Sequence, residues 1–332
     1  MYKPWGLIGW VLDRCPNVQW DLFGCLGTEE RSLGTWRHLS AVNKLGQTRL
    51  LRIVDSPSPR FSARTAQLEN DRFAQFIGGG GRPDDVEQHQ LTEPHFQIVD
   101  TIENFVNRSR GNIILDISSL PKRFFFPVLR RLLKRSAEVR SLIVTYTVPA
   151  SYTGEKLGYN PDDWDHLPLF TGTYTRAKPD MFVINVGFDA LGLQDRVEHG
   201  ESGLPIKLIV PFPAPAAAFR RSWELVRKLQ RHRPAAIFQT YRADAREVGD
   251  AFERLVSLTG GGTRRAILAP FGPKPISVAF CIFATITESE VFYTQPTVYH
   301  PEYSNGIAMH GNLPAINGYI LRLNGHDYYS IP

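Results

Sequence analysis

Two lysines, Lys122 and Lys274, each follow a proline at the end of an apolar run: IILDISSLPKR at 113–123 and AILAPFGPKP at 266–275. An apolar run of strand length, a turn of Ser, Gly or Pro, and a new apolar segment of helical length spell strand, loop, helix. The first turn of a helix leaves backbone N–H groups unpaired, and the summed peptide dipole draws anions to that end. A lysine there adds a full positive charge, while Ser118, Ser119 and Gly272 let a hydroxyl or backbone donor come close to a ligand. The chemistry implied is phosphate handling, written twice. A solvated lysine closing a loop is the plain alternative at each position.

A second pair of turns carries glycine and an acid–base doublet: Gly24 and Gly27 before Glu30 and Arg31, and Gly187 before Asp195 and Arg196. The arginines could clamp an anion bidentately or form local ion pairs with Glu30 or Asp195. Asp116 stands at a strand end, where it could serve as a base, a ligand or a ribose partner, or cap the following helix. Its counterpart is Ala269, so the two turns are chemically unequal. Tyr146, Tyr152, Tyr293 and Tyr299 near strand ends could stack on a base or simply pack. Two basic runs, Arg130, Arg131, Lys134 and Arg135, and Arg220, Arg221, Arg227, Lys228, Arg231 and Arg233, read as solvated helix faces or as a polynucleotide track. The histidines show no metal spacing. Cys15, Cys25 and Cys281 are odd in number and unpaired in spacing, which argues against a disulfide framework and a zinc site. No metal and no cofactor are expected.

The elements that must position these residues alternate. Strands are expected near 18–23, 50–54, 95–99, 113–115 and 142–147, with helices at 61–76, 101–108 and from the lysine turn to about residue 135, where Pro127 should kink the helix or displace its start. After a loop or linker at 154–178 the order restarts, with strands near 181–186, 207–210, 236–241, 266–269 and 291–294 and helices at 216–231 and 245–258. Landmarks recur in the same sequence: Glu30-Arg31 and Asp195-Arg196, Phe96-Gln97 and Phe238-Gln239, Lys122 and Lys274, Tyr146-Thr147 and Tyr293-Thr294. An order that holds while the offsets drift by loop-sized amounts is what a duplicated domain leaves. Boundaries of 1–165 and 166–332 follow. The expected class is α/β, with mainly parallel sheets flanked by helices. Asn324-Gly325 between alternating apolar residues adds a small C-terminal hairpin.

At 332 residues the chain suits two domains, and 42% hydrophobic with 11% aromatic residues excludes disorder. The apolar run at 276–286 is about half a membrane span, so no membrane partner is expected. The N-terminus lacks the pattern of a signal peptide, and a cytoplasmic location is expected. A net charge of +5 permits an anionic partner.

The turns at Gly24 to Arg31 and Ser118 to Lys122, with those at Gly187 to Arg196 and Gly272 to Lys274, resemble the Rossmann-like sensor domains of prokaryotic antiviral systems, the CARF and SAVED families. The resemblance implies tandem Rossmann-like domains binding a phosphorylated nucleotide, cyclic oligonucleotides included, between two pseudo-symmetric halves. Its ligand residues would be Gly24, Gly27, Glu30, Arg31, Ser118, Ser119, Lys122, Arg123, Gly187, Asp195, Arg196, Gly272 and Lys274. It also implies a sensor rather than an enzyme, acting in antiphage defence through a separate effector protein. Two rival readings stay open: an enzyme acting on a nucleotide or nucleic acid with Asp116 as acid or base and Lys122 and Arg123 on phosphate, and a nucleic-acid-binding scaffold using the basic helices.

Overall fold

The computed structural model describes residues 3–54, 60–172, 178–187, 204–213, 216–232 and 238–331. It divides into two compact units, Met1–Asn160 with Thr297–Tyr329, and Pro161–Pro296 with Ser330–Pro332.

The first unit opens with β1 (Trp5–Leu7), α1 (Ile8–Asp13), β2 (Trp20–Cys25), a 3-10 turn (Glu30–Leu33), α2 (Gly34–Ala41), β3 (Leu45–Val54), α3 (Ser62–Gly78), β4 (Val86–Gln90), α4 (His95–Arg108), β5 (Asn112–Asp116), α5 (Lys122–Lys134), β6 (Ser141–Thr147) and β7 (Ser151–Tyr152). The chain leaves through β8 (Gly158–His166). The second unit holds β9 (Met181–Asn185), β10 (Ile206–Phe212), α6 (Ala216–His232), β11 (Phe238–Asp244), α7 (Val248–Leu258), β12 (Ala266–Pro270) and α8 (Lys274–Thr287). The chain returns through β13 (Phe292–Tyr299) to β14 (Ser304–Asn305), β15 (Met309–His310), β16 (Leu313–Pro314), β17 (Ile316–Leu323) and β18 (His326–Asp327).

In the first unit the strands lie in the order β4-β3-β2-β5-β6-β17-β1. The five from β4 to β6 run parallel, and β17 is antiparallel to β6 and β1. In the second unit the order is β11-β10-β9-β12, again parallel, with Val291 at the entry to β13 bridging Leu268 of β12. Each sheet therefore places its first parallel strand between its second and its fourth. The chain is a tandem of Rossmann-like α/β units. Every residue of β2, β5 and β6 is buried, as expected of parallel strands covered by helices on both faces, which is why these segments read as largely apolar rather than alternating.

Four expectations need correction. Residues 95–99 are not a strand but the start of α4: Pro94 is its N-cap, and Ile98, Thr101, Ile102, Phe105 and Val106 bury one face at helical spacing. The third strand is the polar edge strand β4, VEQHQ. Consequently Phe96-Gln97 lies on a helix and Phe238-Gln239 on β11, so this landmark is not a structural repeat. Pro127 does not displace the start of α5, because Phe124, Phe125, Phe126, Val128 and Leu129 are all buried around it. Each such burial contributes about 1.5–3 kcal/mol, against about 3 kcal/mol for an interior proline. The C-terminal hairpin forms at Asn324 and Gly325, whose φ angles of 50° and 84° suit its tight turn. It extends the sheet of the first unit, so 297–329 do not belong to the second half.

Candidate functional site

The chain leaves β2 toward β3 on one side and β5 toward β6 on the other, so the loops beyond these two strands diverge. That divergence is the switch point where open parallel sheets hold ligands. The glycines bring the two loops together. A Cβ on Gly24 would lie 3.3 Å from Asp116 Cβ and 3.4 Å from Leu50 Cδ2, and one on Gly27 would lie 3.2 Å from Ser119 Cβ. The Ser119 Oγ that faces Gly27 is buried without a hydrogen-bond partner, and so is Thr147 Oγ1 at the end of β6. Asp116 holds the loop's shape. Its Oδ1 accepts from the Ser118 amide at 2.8 Å and from the Ser118 hydroxyl, whose oxygen in turn accepts from the Thr147 amide at 2.8 Å.

Lys122 is the first residue of α5, following Pro121 at an N-cap that makes no side-chain hydrogen bond, and it is 8% exposed. Arg123 turns away and donates to the Glu93 carbonyl at 3.1 Å. The lysine and Ser119 are thus brought to one loop, while Arg123 serves the neighbouring one.

Arg31 is only 2% exposed. Its Nε and Nη2 fork the Glu29 carboxylate at 2.8 and 3.1 Å, its guanidinium carbon lies 5.4 Å from the Tyr146 ring centre, and its Nη1 is buried without a partner. Burial works against the charged guanidinium, but Glu29 together with Tyr146 and Tyr152 outweighs it, and the pKa stands well above the ordinary arginine value. Glu30, expected beside it, points to solvent and meets Arg72 at 3.8 Å, while Arg72 Nε donates to the Thr28 carbonyl at 3.2 Å. Glu29 also accepts from the Ser304 hydroxyl. Glu29, Arg72 and Ser304 were missed. The Glu29-Glu30 doublet was the available signal, but which acid faces inward depends on the 3-10 turn. Tyr152 keeps 38% of its surface yet turns its hydroxyl onto that of Tyr146 at 2.8 Å, and desolvation there holds its pKa well above the usual phenol value.

In the second unit the same strand ends carry a different lining. A Cβ on Gly187 would lie 2.1 Å from the Phe271 carbonyl oxygen, and one on Gly272 would lie 2.0 Å from Asn185 Oδ1, so both positions admit only glycine without a shift. Both polar atoms of the Asn185 amide are buried without partners, as is Thr294 Oγ1, the counterpart of Thr147. Lys274 begins α8 after Pro273, again without a side-chain cap. Trp164 stacks on Phe271 and Phe292 at 5.8 and 5.5 Å, and Tyr293 leans on Phe271 at 5.3 Å. Burial pushes the Tyr293 phenol well above its ordinary pKa. Asp195 and Arg196 lie outside the described residues.

The first basic run is partly neutralised from α4: Arg131 lies 4.0 Å from Glu103, which also pairs with Arg135, and Arg135 meets Glu138 at 3.1 Å. Among the described residues no three His, Cys, Asp or Glu gather to hold a metal, and no helix is long and apolar enough to cross a membrane. Cys15, Cys25 and Cys281 are buried thiols.

No family model and no curated protein matches the chain. Among solved structures, a universal stress protein from Archaeoglobus fulgidus DSM 4304 aligns at 9% identity and a TM-score of 0.23, over 83% of this chain and 96% of its own. An N-terminal ketoreductase from a macrolactin assembly line aligns at 10% identity and a TM-score of 0.22, over 73% of this chain and 50% of its own. Alignments at such scores bear on neither ligand nor activity.

Proposed function

We propose that this protein is a nucleotide sensor of the CARF and SAVED kind, in which the lysine turn of each unit is a phosphate-receiving site. In the first unit Ser119, Lys122 and the first turn of α5 receive the phosphate; in the second, Lys274 and the first turn of α8. Signal output passes through a separate effector protein in antiphage defence. One observation carries the reading: at the switch point of the first sheet, a hydroxyl buried without a partner stands in the loop that leads into a helix opened by a buried lysine. A phosphate oxygen supplies what Ser119 Oγ lacks. Binding is favoured over catalysis because Asp116 is occupied in shaping its own loop.

The test is thermal melting of the whole chain against a panel of mono-, di- and cyclic nucleotides. The wild type is expected to be stabilised by at least one of them, and a Lys122→Met, Lys274→Met double variant, which keeps the apolar stems, should melt normally but lose that response. A wild type indifferent to the whole panel would remove the proposal. Turnover of a nucleotide by the wild type that Asp116→Asn abolishes would replace it with the enzymatic reading.

A further inference from the structure

We infer that Phe61 and Tyr159, flanked by Arg60 and Lys156, form a nucleobase-stacking subsite on the first unit, taking a base together with its adjoining phosphate. This deepens the nucleotide-binding reading above and rests on it.

Phe61 is the N-cap of α3, the helix that follows β3, the neighbour of β2, so it stands on the same carboxyl edge of the sheet as the lysine turn. Tyr159 lies in β8. The two ring centres are 5.4 Å apart and their planes meet at 52°, which makes an open wedge rather than a closed stack. The guanidinium carbon of Arg60 lies 5.0 Å from each ring centre, and Lys156 Nζ lies 5.6 Å from that of Tyr159. The wall behind is fixed. His300, 8% exposed, packs on Phe61 at 5.2 Å, accepts from the Glu302 amide on Nδ1 at 3.1 Å and reaches Glu155 with Nε2 at 3.4 Å. Backbone bonds from Thr153 to Tyr303 and from His300 to Leu157 tie the same two segments together, and Ser304 fastens them to Glu29.

Charge selects the ligand. Two cations converge on the Tyr159 ring, while the Glu155 carboxylate is 4.0 Å from Arg60, 59% exposed and shared with His300. Like charges gathered around one aromatic ring repel, and a phosphate relieves that repulsion. The planar guanidinium in the wedge, on a side chain 61% exposed, occupies the place a planar base would take. A base offers a larger face to both rings, and the displaced Arg60 then meets the phosphate. Stacking of this kind is tolerant of base identity, so the subsite selects for a nucleotide rather than for one base.

Titration calorimetry of the full chain with the dinucleotide pTpT and with inorganic tripolyphosphate tests the assignment. The wild type is expected to bind both. Phe61→Leu and Tyr159→Leu are each expected to weaken pTpT about tenfold and to leave tripolyphosphate unchanged. Unchanged pTpT affinity in both variants would overturn the subsite and leave the lysine turn standing. Equal losses for both probes would also overturn it, because a stacking platform acts on the base alone. A wild type that takes tripolyphosphate but not pTpT has the same consequence. A wild type that binds neither probe would instead strike the phosphate-binding reading itself, and the subsite with it.

Discussion

Gly34 and Thr147 occupy a single space: a Cβ on Gly34 would stand 2.6 Å from Thr147 Oγ1 and 2.8 Å from its Cγ2, and Thr147 is fully buried. The start of α2 is thereby pressed onto the end of β6, which holds the glycine turn after β2 beside the lysine turn after β5. Gly34→Ala gains helix propensity but forces overpacking, and the overpacking wins. We expect a loss of about 1–3 kcal/mol in denaturant unfolding. A Gly34→Ala, Thr147→Ala double variant should lose less than the two single changes together, because the clashing atoms are gone. Additive losses would mean that the two residues do not share the contact described.

The lysine turns were legible because both consist of apolar strand, turn and apolar helix, three signals that local sequence carries by itself. The strands β2, β5 and β6 were legible for the same reason, since they are buried throughout. The third strand was not. As an edge strand, β4 exposes Gln88 and Gln90 and buries His89, so hydrophobicity hides it, while Ile98-Val99 imitates a strand inside an amphipathic helix. The placement of the last strands was illegible for another reason. The pairing of β17 with β6 joins residues far apart in the chain, and nothing local encodes it. Within the candidate site, Glu29 rather than Glu30 meets Arg31, a matter of one residue's rotation in the 3-10 turn.

His89 is held between two acids. Its Nδ1 lies 2.5 Å from Glu93 and its Nε2 lies 3.3 Å from Glu87, with Glu93 also accepting from the Gln90 amide at 2.8 Å. Because Arg123 bonds the Glu93 carbonyl, this cluster links the edge strand to the first turn of α5. Glu93→Ala leaves the buried His89 nitrogen and the Gln90 amide without their acceptor, and a loss of about 1–3 kcal/mol is expected in thermal or denaturant unfolding. A neutral outcome would mean that the cluster is not coupled to the fold.

The Glu29–Arg31 pair should behave as a unit. Glu29→Gln leaves the charge of Arg31 buried with no counterion, and breaking one side of such a pair typically costs about 3–5 kcal/mol. Changing both residues, Glu29→Gln with Arg31→Met, removes the stranded charge and should recover part of that loss. Denaturant melts of the two singles and the double would measure it. If Arg31→Met alone proved harmless, the guanidinium would have no part in holding the loop over Tyr146.

Tyr293 gives a signature at alkaline pH. Its phenol is pushed above the ordinary value by burial, so the folded chain keeps that proton after the unfolded chain has begun to lose it. The contribution is complete below the unfolded pKa of about 10 and fades as pH rises through the raised folded value. Above pH of about 10 the stability of the second unit should therefore fall by about 1.4 kcal/mol per pH unit from this one group. Tyr293→Phe cannot ionise in either state, so its stability curve should run flatter than that of the wild type over the same range. Phenolate absorbance supplies an independent readout: Tyr152 and Tyr293 of the folded wild type should both titrate late, and Tyr293→Phe should remove its own share of that late step. Parallel stability curves for the two proteins would show that the ring is not desolvated as its packing against Phe271 requires.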